Sequence, residues 1–207
     1  MVGILKSALA VLKEKPIRLW GLSLMASLLT SLICLFAVLP IISIPITLVL
    51  SVGMTSVYLD GYKGKEVDSN QLFSGFKNFW KIAGGMGWML LWMIIWSPVP
   101  VVNIIKIYSY RFVPYILLES DSEVTAADAL NLSMKMTKGY RAKMFLADLC
   151  ISAVVMIIAG LLFLVIKIPV LNVLIGLVYV AVMIFVPLSL GIISAAFYDS
   201  IEKAEQA

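Results

Sequence analysis

The sequence predicts an all-α polytopic membrane protein: six transmembrane helices in three hairpins, with short amphipathic helices on the cytoplasmic surface. Three observations predict it. Forty-one residues between Arg18 and Asp60 carry no charged side chain. That is too long for one span and suits two, because a bilayer core takes roughly 20 apolar residues per helix. Apolar residues make up 62% of the chain and charged residues 14%, whereas a soluble domain sits near half and about a quarter. The basic residues also gather on alternate connections between the apolar stretches.

Residues 19–39 and 41–59 form the first predicted hairpin, broken at Pro40 and Pro45. Residues 82–97 form a third span, closed by Ser97-Pro98-Val99-Pro100. Residues 101–118 are less apolar, holding Asn103, Lys106 and Arg111, and form the fourth. Residues 144–166 are the fifth, followed by a turn at Lys167-Ile168-Pro169. Residues 171–198 are the sixth, longer than a span needs and so expected to tilt or bend near Pro187. The 207 residues therefore read as one membrane domain. The polar lead-in up to Arg18 and the long apolar run after it read as a retained first span, not a cleavable signal.

The charge distribution decides the fourth span. With six spans, Lys6, Lys13, Lys15, Arg18, Lys63, Lys65, Lys77, Lys81, Lys135, Lys138, Arg141, Lys143 and Lys203 share one side, thirteen of the sixteen basic residues. Lys167 alone falls in the opposite turns. The positive-inside rule then places both termini in the cytoplasm. Lys106 and Arg111 are left within the span, each costing about 2.5–3.5 kcal/mol unless paired or snorkelled.

Each predicted hairpin is preceded by an amphipathic stretch. Val2, Leu5, Leu9 and Leu12 recur at helical spacing before the first. Leu72, Phe73, Phe76, Phe79 and Trp80 oppose Gln71, Ser74, Lys77, Asn78 and Lys81 before the second. Ala127, Leu130 and Met134 align before the third, with Thr125 and Asp128 placed as a capping box. The hairpins end alike, at Tyr58-Leu59-Asp60, Tyr115-Ile116-Leu117-Leu118-Glu119 and Phe197-Tyr198-Asp199. Three units of interfacial helix plus hairpin follow. Duplication and similar physical demands at each membrane crossing both account for the pattern.

Gly53-Met54-Thr55-Ser56-Val57-Tyr58-Leu59 and Leu72-Phe73-Ser74-Gly75-Phe76-Lys77-Asn78-Phe79 carry a resemblance. So do Ile104-Ile105-Lys106-Ile107-Tyr108-Ser109-Tyr110, Pro114-Tyr115-Ile116-Leu117, Ala129-Leu130-Asn131-Leu132-Ser133, Met136-Thr137-Lys138-Gly139 and Phe197-Tyr198. Across roughly residues 50–200 the chain resembles an uncharacterised family of small multispan integral membrane proteins of Gram-positive bacteria. More distantly it is similar to the non-catalytic membrane domain of some bacterial glycerophosphodiester phosphodiesterases. The chain departs from that family at Pro98-Val99-Pro100, where a Pro-Gly turn is usual, at Arg111, where a small polar residue is usual, and at Asp148-Leu149-Cys150. The resemblance implies membrane topology and a bacterial origin, and no chemistry.

Lys106, Arg111 and Asp148 are the ionisable residues placed well inside spans, and such residues are functional candidates. Arg111 and Asp148 fall at similar depths on sequence-adjacent helices. They are read either as an ion pair that locks the helices or as part of a solute path or phosphate site. Lys106 either snorkels outward or forms an anion site with Asn103, Tyr108 and Tyr110. Trp88, Trp92 and Trp96 form an i, i+4, i+8 stripe, read as a packing or lipid-facing surface or as an apolar groove for an acyl chain. Gly84-Gly85-Met86-Gly87 reads as close helix packing and lacks the Lys-Ser/Thr of a phosphate loop.

Other chemistries lack their residues. There is no histidine, which removes the commonest metal ligand and general base. Glu119, Asp121, Glu123 and Asp128 fit no calcium-loop spacing and read as a solvated cap. Cys34 and Cys150 fall at opposite depths, too far apart for a disulfide, and read as buried apolar residues. The charge of +4 is accounted for by the span flanks, so no nucleic-acid partner is expected. No metal or cofactor is assigned. The expected function is non-catalytic: an accessory or scaffold protein engaging anionic inner-leaflet lipids, a membrane-protein partner or a second copy. A small transporter or export permease for a solute, peptide or lipid is the alternative.

Overall fold

The computed structural model describes residues 2–14, 16–35, 40–120, 124–165 and 172–206. Each regular element among them is a helix. The Lys167-Ile168-Pro169 turn, residues 36–39, and Asp121 and Glu123 lie outside the described residues, as do the side chains of Val2, Leu5, Leu9, Leu12 and Cys34.

Helices α1 (Val2–Glu14), α2 (Pro16–Leu35) and α3 (Pro40–Tyr62) form the first unit. Pro40 opens α3, where its fixed φ and missing N–H are tolerated. Pro45 does not break the chain as expected; it lies inside α3, just past its first turn. There it removes a single backbone bond near the helix start, and the Thr47 hydroxyl donates to the Ser43 carbonyl at 2.9 Å nearby.

A 3₁₀ helix (Ser69–Asn78) and α4 (Phe79–Trp96) follow. The 3₁₀ helix begins at a capping box missing from the sequence reading. Asp68 accepts from the Ser69 amide at 2.7 Å, and Gln71 Oε1 accepts from the Asp68 amide at 3.2 Å. Ten residues is long for this geometry, in which residues i and i+3 eclipse. That period corrects the expected apolar face. Leu72 and Gly75 turn inward onto α3, while Phe73 and Phe76 stack outward with Phe79 at 6.0 Å steps. Gly53 and Gly75 permit the contact: a Cβ on Gly53 would overlap the Leu72 carbonyl, and one on Gly75 would meet the Val49 carbonyl oxygen at 2.7 Å.

The fourth predicted span is not one helix. It divides into α5 (Pro100–Ser109) and α6 (Val113–Glu119). Pro114 lacks the N–H needed to continue α5 through Tyr110. The groups freed at the break are met by α7 (Ala126–Met136). Ser133 donates to the Ser109 carbonyl at 2.7 Å and accepts from the Phe112 amide at 3.2 Å. Helix α7 is therefore not a detached surface helix, as its amphipathic pattern suggested. It packs along α4 and α6, with Ala129, Leu130, Ser133 and Met136 buried. Its Thr125–Asp128 capping box is present as expected.

Helices α8 (Arg141–Val165) and α9 (Asn172–Gln206) complete the chain. Helix α9 runs unbroken through Pro187. Ser189 donates to the Phe185 carbonyl at 2.6 Å beside that proline, one way apolar helices accommodate it.

Each unit thus has a short helix before its hairpin, and each short helix leans on another unit. The 3₁₀ helix packs on α3, α7 on α4 and α6, and α1 chiefly on α9. The arrangement is cyclic. At its centre lie Phe112, Leu117, Leu188, Ile192, Phe197, Val49 and Val57, all fully buried.

The outer surface is apolar. Leu28, Ile94, Val101, Met156, Ile157 and Leu177 are each exposed, more apolar surface than a protein in water presents as single scattered residues. Five stretches among the described residues are long and apolar enough to cross a membrane: Ile42–Tyr62, Ser69–Trp96, Pro100–Glu119, Arg141–Gly160 and Gly176–Ala204. A sixth, Leu19–Ile33, is apolar and shorter. Cys150 corrects an expectation: it is exposed, because only the Met144, Ala147 and Ile151 stripe of α8 meets the core. Of the expected glycine contact on α4, only Gly85 is close to a neighbour, against Leu117; Gly84 and Gly87 face open space.

Candidate functional site

The break between α5 and α6 carries the polar chemistry. It presents Arg111 toward α8 and α9. Arg111 holds Asp148 through both terminal nitrogens, with Nη1 on Oδ2 at 2.5 Å and Nη2 on Oδ1 at 3.1 Å. Its Nε donates to Ser194 Oγ at 2.7 Å, and Nη2 reaches the Leu190 carbonyl at 3.4 Å. Tyr108 donates its hydroxyl to Asp148 Oδ2 at 3.1 Å and places its ring 5.6 Å from the guanidinium. The pair is mostly covered, with side chains 14% and 18% exposed. This planar, two-point grip is the strongest arrangement open to an arginine. It ties the break between α5 and α6 to α8 and α9. Ser194 had no spacing signal in the sequence.

The expected grouping of Lys106 with Asn103, Tyr108 and Tyr110 divides in the fold. Tyr108 belongs to the Arg111–Asp148 cluster. Lys106 and Tyr110 face the other way, toward α4 and α7. Lys106 Nζ lies 5.4 Å from the Trp96 ring and 5.4 Å from the Tyr110 ring, and 3.5 Å from Met134 Sδ. These contacts hold it against the Trp96 end of α4. Asn103 Oδ1 is buried without a hydrogen-bond partner among the described residues.

The Trp88, Trp92 and Trp96 stripe lines one wall of a cavity of about 360 Å³, with Lys106, Tyr110, Ala127, Leu130, Asn131 and Met134 as the remainder. Trp88 and Trp92 meet edge to face at 6.2 Å. Trp96 Nε1 is buried and has no acceptor among the described residues. The α7 wall was legible only in part, as the apolar spacing of Ala127, Leu130 and Met134.

A second, larger cleft of about 570 Å³ is lined by Ser7, Val11, Tyr62, Lys63, Asp199, Glu202 and Lys203. Its carboxylates are engaged. Lys203 holds Asp199 at 2.7 Å, and Lys63 lies 3.9 Å from Asp199 and 3.7 Å from Glu202. Glu119 is exposed, as a solvated cap would be, and also accepts from the Tyr198 hydroxyl at 2.7 Å. Among the described residues no three Cys, Asp or Glu side chains come together as a metal site would need.

No protein-family model, no curated protein and no solved structure matches this chain.

Proposed function

We propose that this chain is a non-catalytic accessory protein of the bacterial plasma membrane. It crosses the bilayer six times with both termini in the cytoplasm, and it engages anionic lipids of the inner leaflet. The observation that carries the reading is the outward ladder of Phe73, Phe76 and Trp80, joined through Phe79, which is half-buried against the core. Trp80 is 85% exposed and Lys77 stands beside the ladder, also exposed. Aromatic rings at the end of an apolar helix settle at the headgroup level. Each Lys near an anionic surface adds about 1 kcal/mol of attraction. The resemblance to small membrane proteins of Gram-positive bacteria agrees with this placement.

The transporter reading loses support at the Arg111–Asp148 pair. Four hydrogen bonds occupy the guanidinium, which leaves little for a passing solute.

The test is thermal unfolding of the full chain in bilayer discs of phosphatidylglycerol or phosphatidylcholine, at low and high salt. Greater stability in the anionic disc, lost with salt and lost in the F73S/F76S variant, supports the reading. Equal stability in both lipids overturns it, and solute flux through proteoliposomes abolished by D148N establishes the transporter instead.

A further inference from the structure

We propose that the tryptophan-lined cavity between α4, α5 and α7 binds one anionic phospholipid. Its phosphate would meet Lys106 and one acyl chain would lie along Trp92 and Trp88. The inference rests on the membrane placement above but on a different surface from the aromatic ladder.

Lys106 is the first reason. No described carboxylate lies within ion-pair distance of its ammonium; its neighbours are two aromatic faces and a thioether sulfur. A cation in so apolar a setting is costly without an anion. Its chain-mate in the same segment, Arg111, has a carboxylate; Lys106 has space in front of it.

The second reason is the donor set. Trp96 Nε1–H is buried with no acceptor. A buried donor left unpaired is destabilising, and each such group calls for a partner. Trp96, Lys106 and Tyr110 line the same cavity. The Lys106 ammonium is the charged donor at that end, and the Trp96 N–H and Tyr110 hydroxyl belong to side chains that line it.

The third reason is shape. The cavity of about 360 Å³ falls within the usual range of small-molecule sites, about 300–1,000 Å³. Away from Lys106 its walls are Trp92, Trp88, Leu130 and Ala127, which suit hydrocarbon. Trp88, 41% exposed, and Ala127, also exposed, mark its open side. The polar and apolar ends are thus ordered along α4, with the Trp96 end at the lipid headgroup depth and Trp88 toward the bilayer centre. A free phosphate would use only the first end, and phosphatidylcholine, although it carries a phosphate, would bring its choline cation up beside the Lys106 ammonium.

The experiment is native mass spectrometry of the full chain in mild detergent, with dipalmitoyl phosphatidylglycerol, its phosphatidylcholine counterpart, palmitate or glycerol phosphate added. The expected result is one phosphatidylglycerol retained per chain. Phosphatidylcholine and glycerol phosphate should bind roughly tenfold or more weakly. K106Q should lose a similar factor and K106R should keep it. A127W places an indole in the open side and should abolish retention with Lys106 intact and the melting temperature unchanged, so the proposal stands or falls even if K106Q does not fold. Equal retention of both phospholipids, or retention unaffected by A127W, overturns it. Palmitate bound in preference to phosphatidylglycerol overturns the phospholipid assignment in favour of a free fatty acid. F73S/F76S separates the two proposals: it removes the salt-sensitive part of the anionic-disc effect and leaves the single retained lipid in place.

Discussion

Tyr115 and Tyr198 stack face to face, their ring centroids 4.6 Å apart and their planes inclined by 15°. The two residues hold matching places, near the ends of the second and third hairpins. The first hairpin supplies the third member: a Cβ added to Gly191 would collide with the ring of Tyr58. Phe112 fills the remaining side, edge-on to Tyr115 at 6.2 Å and to Tyr198 at 5.3 Å. The repeated tyrosines are therefore the place where the three units meet. Similar demands at each membrane crossing would explain tyrosines near the surface; they do not by themselves bring all three to one centre.

The Arg111–Asp148 pair should be costly to halve and cheaper to remove whole. R111Q or D148N leaves one charge in an apolar setting and should cost on the order of 3 kcal/mol. The double variant R111L/D148L should recover most of that loss. Denaturation of all three in one detergent measures it, and a double-variant loss equal to the sum of the singles would show that the residues act independently.

The Gly53 contact should tolerate no side chain. G53A forces the Leu72 carbonyl away from α3 and should cost about 1–3 kcal/mol. G84A meets open space and should be neutral or stabilise by about 0.5–1 kcal/mol through helix propensity. Melting temperatures of the two variants decide between this contact map and a generic effect of glycine replacement.

Ser133 holds the break between α5 and α6. S133A takes the partner from the Phe112 amide, leaves the Ser109 carbonyl only the longer Thr137 contact at 3.4 Å, and should cost about 1–3 kcal/mol. Hydrogen exchange should quicken at the Phe112 amide while the α9 core keeps its protection. Uniform loss of protection would place Ser133 in the global core instead.

Cys150 tests the outward face of α8. In bilayer discs a membrane-impermeant maleimide should leave it unlabelled, whereas in detergent a small permeant maleimide should label it. Rapid labelling by the impermeant reagent in discs would put that face in water.

Much of the helical layout was legible in the sequence, because long charge-free runs and prolines report directly on what a bilayer admits. The Arg111–Asp148 contact was legible from depth along neighbouring helices. The break at residues 110–112 was not, because Pro114 reads equally as a kink or an end, and the groups that meet it, Ser133 and Thr137, come from a later part of the chain. The outward turn of Phe73 and Phe76 was missed because a period of 3.6 was assumed where the chain adopts 3.0. The cavity was missed as a unit because its walls come from three helices, and Lys106 and Tyr108, two residues apart, face different neighbours.

The packing of α1 on α9 carries a consequence for synthesis. Ala8 is buried, 1% exposed, yet α9, the helix that chiefly covers α1, is made only after α2 to α8. Helix α1 must therefore wait through the synthesis of all three hairpins before it finds its partner. Contacts at such sequence separation form slowly. Until α9 arrives, α1 is an amphipathic helix with one face uncovered, and the membrane surface is the natural place for it to rest.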